Sequence, residues 1–253
     1  MPVTEYPRAL TKALLSCLLL AGGCAATGPQ AASVSEADPW EATNRRIDHF
    51  NTKVDNATLK PIARGYDRLL PDFLQQRVSN FSNNLREPLH IVNNFLQGDG
   101  GEGFSETGRF LVNSTLGVGG LFDVASRMGF EDYSEDFGQT LAVWGVPPGP
   151  YVIVPFFGPQ TLRDAFTLPV DFLADPLLYY EPDRIRYSIF ALRSIDLRAR
   201  FLSVEQFVKD SYDPYIAVRE SYLQHRQFEI YDGNPPVDDD FYDDFLEELP
   251  EPE

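Results

Sequence analysis

The amino-acid sequence predicts a mostly α-helical domain with one short hairpin or loop near Val143–Val154. Apolar residues recur at steps of three and four along Asp72–Gln97, which is the spacing of one face of a helix. Tyr151–Val154 is the only run with the residues typical of a strand. Four glycines and five prolines interrupt Glu135–Pro159, and these residues prevent a long helix from passing through it.

Caps and helix-breaking residues set the predicted helix boundaries. We expect Asp38 to cap the first helix, with Pro39 at its first position and an end near Val54. Asp213 is the expected cap of the last helix. The other predicted helices are a segment from Pro61 to Leu70, then Asp72–Gln97 with a kink or restart at Pro88 and an end at Gly98, then Phe104–Leu116, Leu121–Met128, Gly138–Trp144, Thr161–Phe166, Arg184–Lys209 and Pro214–Ile230.

Residues 1–23 have the features of a bacterial lipoprotein signal peptide. Arg8 and Lys12 supply positive charge, and the apolar run Ala13–Ala21 is too short to span a bilayer as a helix. Small residues then precede Cys24. We therefore predict Cys24 as the lipidation site, where several acyl chains would hold the protein to a membrane.

Two alternatives to lipidation at Cys24 stay open. Leucine stands one position early, at Leu20, and Ala21 occupies its usual place, so the lipoprotein signal is imperfect. Cys17 is a competing site, but it lies inside the apolar run and would leave almost no hydrophobic region before it. An ordinary secretory signal, in which Cys24 has no special role, is the other alternative.

Net charge divides the 253 residues into an acidic tail and a mildly acidic body. The formal net charge is −17; ten acids and no base lie between Asp232 and Glu253, which leaves −7 for the rest. Nucleic acid is not an expected partner, because phosphate binding needs a basic face. The predicted organisation is residues 1–23 as signal peptide, 24–37 as flexible tether, 38–231 as helical domain and 232–253 as disordered acidic tail.

The sequence offers few residues for metal or thiol chemistry. Both cysteines precede the helical domain, so the domain has neither a disulfide nor a thiol nucleophile. His49, His90 and His225 are not spaced as metal ligands on a helix. We therefore expect no metal site and no cofactor.

Acid–base and nucleophilic chemistry are also weakly indicated. The acidic residues of Glu131–Asp136 could bind calcium or act as an acid–base pair, but a solvated loop is the more common reason for such a cluster. A lipid esterase, with Ser105 and His90 as candidates, is the rival enzyme class. The sequence predicts that the protein is not an enzyme.

Short motifs in a fixed order run from Asp38 to about Phe228. They are Asp38-Pro39-Trp40-Glu41, Asn44-Arg45, Phe50-Asn51, Asn80-Phe81, Asn84-Leu85, Glu87-Pro88, Asn93–Gly98, Arg109-Phe110, Asn113–Gly117, Gly119–Ala125, Glu135–Leu141, Gly145-Val146, Gly149-Pro150-Tyr151, Pro155-Phe156, Leu162-Arg163-Asp164, Asp213-Pro214-Tyr215 and Val218-Arg219-Glu220. Together they resemble the MlaA/VacJ family of outer-membrane lipoproteins, although no single motif is specific.

The resemblance implies a ring-like, mostly helical body in the inner leaflet of the Gram-negative outer membrane, with a polar passage for phospholipid headgroups. It implies that the protein removes mislocalised phospholipids from the outer leaflet, passes them to the periplasmic carrier MlaC, and associates with a porin trimer. A polar passage explains such activity without a catalytic residue, because polar groups cross hydrocarbon at a high free-energy cost. A structural lipoprotein that binds a partner and transports nothing is the alternative.

A channel and loop site is predicted around the glycine- and proline-rich stretch. Trp144–Pro150 alternates permissive glycines with rigid prolines, so we expect Val143–Tyr151 to form a flexible loop or hairpin at the mouth of the passage. Asparagine-rich helix faces are expected to line the polar route. The predicted site residues are Asn44, Phe50, Asn51, Gly145, Gly149 and Tyr151.

Overall fold

The structure is a computed structural model that describes residues 37–236. Within these residues the chain forms nine α-helices, two short 3₁₀ helices and one two-stranded antiparallel sheet. The elements are α1 (Glu41–Ala57), α2 (Leu59–Leu69), α3 (Asp72–Gln97), α4 (Gly100–Thr115), α5 (Phe137–Val143), β1 (Tyr151–Val154), β2 (Gly158–Thr161), α6 (Leu162–Ala174), α7 (Asp183–Arg200), α8 (Leu202–Lys209) and α9 (Pro214–Ile230). The prediction of a mostly α fold with a short hairpin is confirmed.

Three predicted features fall on other parts of the chain. The signal peptide with Cys24, the tether up to residue 36, and residues 237–253 of the acidic tail lie outside the described residues.

The longest helix, α3, packs against α4, which follows it after a tight turn. Gly98 ends α3 in the left-handed conformation, with φ of 96°, as the sequence predicts. The predicted restart at Pro88 does not occur, because α3 runs unbroken through that residue. The second helix of the pair begins at Gly100, four residues before the predicted start at Phe104.

The hairpin extends beyond the stretch in which the sequence places it. β1 pairs with β2 in a register that joins Tyr151 to Thr161 and Val154 to Gly158. The sequence indicates only β1, because Gly158–Thr161 contains glycine, proline and glutamine and lacks the side chains typical of strands. Backbone pairing with β1 makes it a strand.

Asp38 does not cap the first helix, and this prediction is wrong. The helix begins at Glu41, and the side chain of Asp38 is fully buried. Its carboxylate accepts hydrogen bonds from Asn44 Nδ2 at 2.8 Å, the Tyr215 hydroxyl at 2.6 Å and Arg219 Nη1 at 3.3 Å. Asp38 therefore joins the start of the domain to α9 instead of ending α1.

Three other predicted boundaries differ from the structure. Only Ser126–Met128 of the predicted helix Leu121–Met128 is helical, as a 3₁₀ turn. The predicted helix Arg184–Lys209 is two helices, α7 and α8, which are separated at Phe201. The predicted helix after Thr161 continues past Pro169 to Ala174.

Buried and exposed side chains are reversed relative to a water-soluble protein. Among the described residues, 23 polar or charged residues are buried against eight apolar ones, so the interior is predominantly polar. Large apolar side chains lie outside: Leu69, Phe104 and Phe207 are 80%, 72% and 81% exposed. Exposed apolar side chains in such numbers are typical of a surface that contacts lipid or another protein.

Residues 37–236 contain no helix that combines the length and apolar character needed to cross a membrane.

Candidate functional site

One arginine in the polar interior joins three helices. Arg226 in α9 donates to both carboxylate oxygens of Asp136 at 2.7 Å, and to those of Asp164 at 3.0 and 3.1 Å. Asp136 caps α5, and Asp164 lies in the first turn of α6. Burial opposes ionisation of both acids, but Arg226 holds the pKa of each below its ordinary value. The three side chains therefore stay charged and bind α5, α6 and α9 together.

A second arginine ties α3 and α4 to the segment that follows them. Arg109 in α4 donates to Glu87 at 3.3 Å, Ser126 Oγ at 2.8 Å and Asp123 at 3.1 Å. Glu87 and Glu106 are buried, and the Oε2 atom of each has no hydrogen-bond partner among the described residues. Burial and a side-chain contact with Glu106 raise the pKa of Glu87 well above its ordinary value. The Glu87 carboxyl group therefore holds its proton at a higher pH than an exposed glutamate does.

The acidic segment before α5 is partly buried instead of forming a fully solvated loop. Glu131 and Asp132 are exposed, but Glu135 is buried against the end of α3. His90 Nδ1 donates to the carbonyl of Glu135 at 2.7 Å, and Gln97 donates to its carboxylate at 2.5 Å. Burial raises the pKa of Glu135 to about 8. The described residues contain no group of three or more histidine, cysteine, aspartate or glutamate side chains arranged to hold a metal ion.

Two asparagines on one face of α1 hold the outer edge of β1. Asn44 donates to the Tyr151 carbonyl at 3.0 Å and accepts from the Ile153 amide at 3.0 Å. Asn51, two turns later, donates to the Val154 carbonyl at 3.1 Å and accepts from the amide two residues further along at 2.9 Å. Each side-chain amide gives one N–H donor and its oxygen acceptor to the backbone beside it, as a neighbouring strand would. α1 therefore replaces a third strand of the sheet.

The loop between α5 and β1 starts with a regular helix cap. The Gly145 amide donates to the Ala142 carbonyl at 2.8 Å, and the Val146 amide donates to the Leu141 carbonyl at 2.9 Å. This pair of bonds is a Schellman motif, which requires the left-handed conformation that Gly145 adopts with φ of 87°. The glycine at position 145 is thus needed for the end of α5.

The rest of this loop is bound to the N-terminus of α6. The Val146 carbonyl accepts from the Arg163 side chain at 3.3 Å, and the Pro148 carbonyl accepts from the Arg163 amide at 3.0 Å. The Pro150 carbonyl accepts from the Leu162 amide at 2.9 Å. Opening this loop would therefore break three hydrogen bonds.

The predicted site residues lie in α1, in β1 and in the loop that leads into β1. Four of them surround β1: Asn44 and Asn51 bind its backbone, and Phe50 packs edge-to-face on Phe156 with ring centroids 5.5 Å apart. The fourth, Tyr151, is buried within the strand itself. The other two, Gly145 and Gly149, lie in the loop that leads into β1 and have positive φ of 87° and 66°.

Sequence reasoning missed the ion-pair network, and its rival esterase candidates are far from a reactive arrangement. The partners of Arg226 lie 62 and 90 positions away, and no local motif connects residues so distant. The esterase candidates are not brought together as a reactive pair, since His90 Nδ1 binds a carbonyl and Ser105 makes no side-chain hydrogen bond within residues 37–236.

A family model for MlaA lipoproteins matches residues 36–229. The chain belongs to the MlaA lipoprotein family. It is 37% identical over 210 residues to the intermembrane phospholipid transport system lipoprotein MlaA of Escherichia coli, which covers 81% of this chain and 82% of that protein. It is 30% identical over 250 residues to the protein of that name in Haemophilus influenzae, which covers 94% of this chain and 99% of that one.

Other similarities agree with this family assignment. An uncharacterised protein of Rickettsia bellii is 39% identical over 196 residues, which cover 76% of each chain. A solved structure described as the structural basis for maintenance of bacterial outer membrane lipid asymmetry matches with a TM-score of 0.67 at 36% identity. The match covers 77% of this chain and all of that one. The mostly helical MlaA fold is therefore established for this chain.

Proposed function

We propose that this lipoprotein removes mislocalised phospholipids from the outer leaflet of the outer membrane and passes them to a soluble periplasmic carrier. In this proposal the acylated Cys24 anchors the protein in the inner leaflet, the body forms a ring around a polar passage, and the partners are the carrier MlaC and a porin trimer. The protein transports lipid without catalysing a reaction.

The reversed distribution of side chains is the observation that carries the proposal. A phospholipid headgroup that enters hydrocarbon loses its hydration, at a cost that only polar partners reduce. The polar interior supplies such partners. Among the described residues, the buried atoms without a hydrogen-bond partner include Asn94 Oδ1, Gln139 Oε1 and Arg163 Nη2. In this proposal such polar groups line the route of the headgroup, and the exposed apolar side chains contact acyl chains.

A transfer assay tests this function directly. The full-length protein is placed in vesicles that contain labelled phospholipid, and the purified carrier is added outside. We expect label on the carrier only when both proteins are present, with protein-free vesicles as the control.

The same assay separates the alternatives. Label that stays in the vesicles at the level of the control would contradict transport and favour a structural lipoprotein. Release of fatty acid or lysolipid would instead favour an esterase, and Ser105→Ala and His90→Ala would then show which residues act.

A further inference from the structure

Arg86 in α3 differs from every other arginine of residues 37–236 that is not exposed, because it has neither an ion pair nor a side-chain hydrogen bond there. It stands four residues after Ser82 and four before His90, both of which are buried, so it lies on the polar inward face of the helix. Arg109 and Arg226, by comparison, each bind two interior carboxylates. The guanidinium group of Arg86 therefore has unused donors in the polar interior.

The guanidinium group of Arg86 is also accessible. The side chain is half-buried, and within residues 37–236 its nitrogens are not among the buried atoms that lack a hydrogen-bond partner, so they reach open space. A half-buried cation without a partner is costly, and an anion bound at these nitrogens would reduce that cost. The planar donors of a guanidinium group match the oxygens of a phosphate group.

Charged side chains from three neighbouring segments act on Arg86. Burial lowers the pKa of Arg86, and the charge of Arg193 in α7 lowers it further. Three carboxylates act in the opposite direction, those of Asp175, Asp136 and Asp171. Asp175 and Asp136 each have an arginine of their own, at 2.8 and 2.7 Å. Asp171 is the carboxylate of this group that has no such partner within residues 37–236.

Asp171 in α6 is therefore available to bind a cation. Its carboxylate accepts a hydrogen bond from the Phe137 amide at 3.1 Å, and no basic nitrogen of residues 37–236 lies within 4.0 Å of it. Burial raises the pKa of Asp171 to about 6, against the opposing charge of Arg86, so the group is mostly ionised at neutral pH. Arg86 and Asp171 thus present a cation and an anion that influence each other but are not joined.

A headgroup that carries both charges complements this pair. Phosphatidylethanolamine has a phosphodiester with one negative charge and, two carbon atoms away, a primary ammonium group that donates hydrogen bonds as a lysine does. Phosphatidylglycerol has the phosphodiester but no cation. Inorganic phosphate carries nearly two negative charges at neutral pH and would be repelled by the nearby carboxylate.

We propose that Arg86 binds the phosphate, and Asp171 the ammonium group, of an ethanolamine phospholipid headgroup in the polar interior. The inference names a preferred substrate for the proposed function and rests on it, because the interior is the route of the headgroup only in that function.

The test titrates the purified full-length protein in detergent with short-chain phosphatidylethanolamine, or with phosphatidylglycerol that has the same acyl chains. Bound lipid is counted by native mass spectrometry. We expect the wild type to bind the ethanolamine lipid about tenfold more tightly, since only this lipid pairs with Asp171. Arg86→Gln should weaken binding of both lipids at least about tenfold, because both lose the charged contact to phosphate.

Asp171→Asn separates the two halves of the site. Asparagine still accepts from the Phe137 amide but carries no negative charge, so this variant should bind the two lipids equally. The matched control Arg127→Gln removes an exposed arginine and should bind both lipids as the wild type does. Unchanged binding by Arg86→Gln, an equal loss in the control, or a preference that survives in Asp171→Asn would overturn the proposal. Displacement of the lipids by an equal concentration of inorganic phosphate would overturn it too.

Thermal unfolding shows whether Arg86 acts on the lipid or on the fold. Removal of a half-buried cation that has no carboxylate partner should leave the unfolding midpoint of Arg86→Gln at or above that of the wild type. A lower midpoint would assign Arg86 a structural role and overturn the proposal. Failure of wild-type transfer to the carrier would count against the proposed function alone, because the binding assay contains no carrier.

Discussion

Gly138 lies where any side chain would disturb the Arg226 ion pairs. A Cβ at this position would lie 2.4 Å from Asp164 Oδ1 and 2.6 Å from Arg226 Nη2. We expect Gly138→Ala to lower the free energy of unfolding by about 1–3 kcal/mol, which is typical of overpacking in a filled interior. Gly65→Ala is the control: no atom lies within 4 Å of its Cβ, and alanine in a helix should stabilise by about 0.4–1 kcal/mol.

Thermal and denaturant unfolding of the two variants measure this difference. Equal stability of Gly138→Ala and the wild type would mean that the ion pairs around Arg226 can move aside. They would then contribute little to holding α5, α6 and α9 together.

At the scale of elements, the loop between α5 and β1 decides whether the proposed passage has a gate. Gly145 and Gly149 both have positive φ, which valine resists by about 1–2 kcal/mol. A Cβ at Gly149 would also contact Leu162 at 3.1 Å, whereas Gly145 has open space around it. We expect Gly145→Val and Gly149→Val to slow phospholipid transfer while the fold persists, with the larger loss of stability for Gly149→Val.

Gly129→Val separates backbone strain from gating, because Gly129 has a φ of 89° and open space but lies in another loop. It should lose stability and keep its transfer rate. The loop can also be locked by a disulfide between Gly149→Cys and Leu162→Cys, whose Cβ atoms would lie 3.1 Å apart, so a shift of a few tenths of an ångström brings them to the separation of about 3.5–4.5 Å that a disulfide needs. Equal transfer under oxidising and reducing conditions would show that this loop only packs against α6 and does not act as a gate.

The same elements show how far the sequence determines the fold. Local signals suffice for α3, because its regular apolar period and its end at Gly98 lie within one segment, and for α9, because Asp213 caps it. They fail for β2, which becomes a strand only through backbone pairing with β1. They also fail for Asp38, whose carboxylate prefers partners in α9 to a helix end beside it.

The site was less predictable than the fold, because its interior contacts join residues that are far apart in the sequence. Asn44 and Asn51 stand out because they belong to motifs that resemble the family, and the two loop glycines stand out beside the prolines of Trp144–Pro150. The interior arginines do not, because an arginine in a helix is ordinary until its buried partners are known. Which face of a helix is buried also depends on whether water or lipid surrounds the protein. An apolar stripe has the same sequence pattern whether it packs in a protein core or faces lipid, so the sequence alone does not identify the buried face.

At the scale of the whole molecule, buried carboxyl groups in the polar interior make the folded protein less stable as pH rises. Burial raises the pKa of Glu135 from 4.5 to about 8, and the pKa of Glu87 moves the same way. Between pH 4.5 and about pH 8, the folded state therefore binds more protons than the unfolded state. The free energy of unfolding falls as pH rises through this interval. Asp136, Asp164 and Glu205 have lowered pKa values, so their contributions change only under acid conditions.

We therefore expect the midpoint of thermal unfolding to fall between pH 6 and pH 9 for the full-length protein in detergent. Glu135→Gln should reduce this slope, because glutamine keeps the shape of the buried side chain and carries no ionisable proton. The exposed Glu181→Gln is the control and should keep the wild-type slope. An unchanged slope in Glu135→Gln would mean that the carboxyl group of Glu135 is already ionised in the folded protein. A midpoint that rises with pH over this range would contradict the raised pKa values of both Glu135 and Glu87.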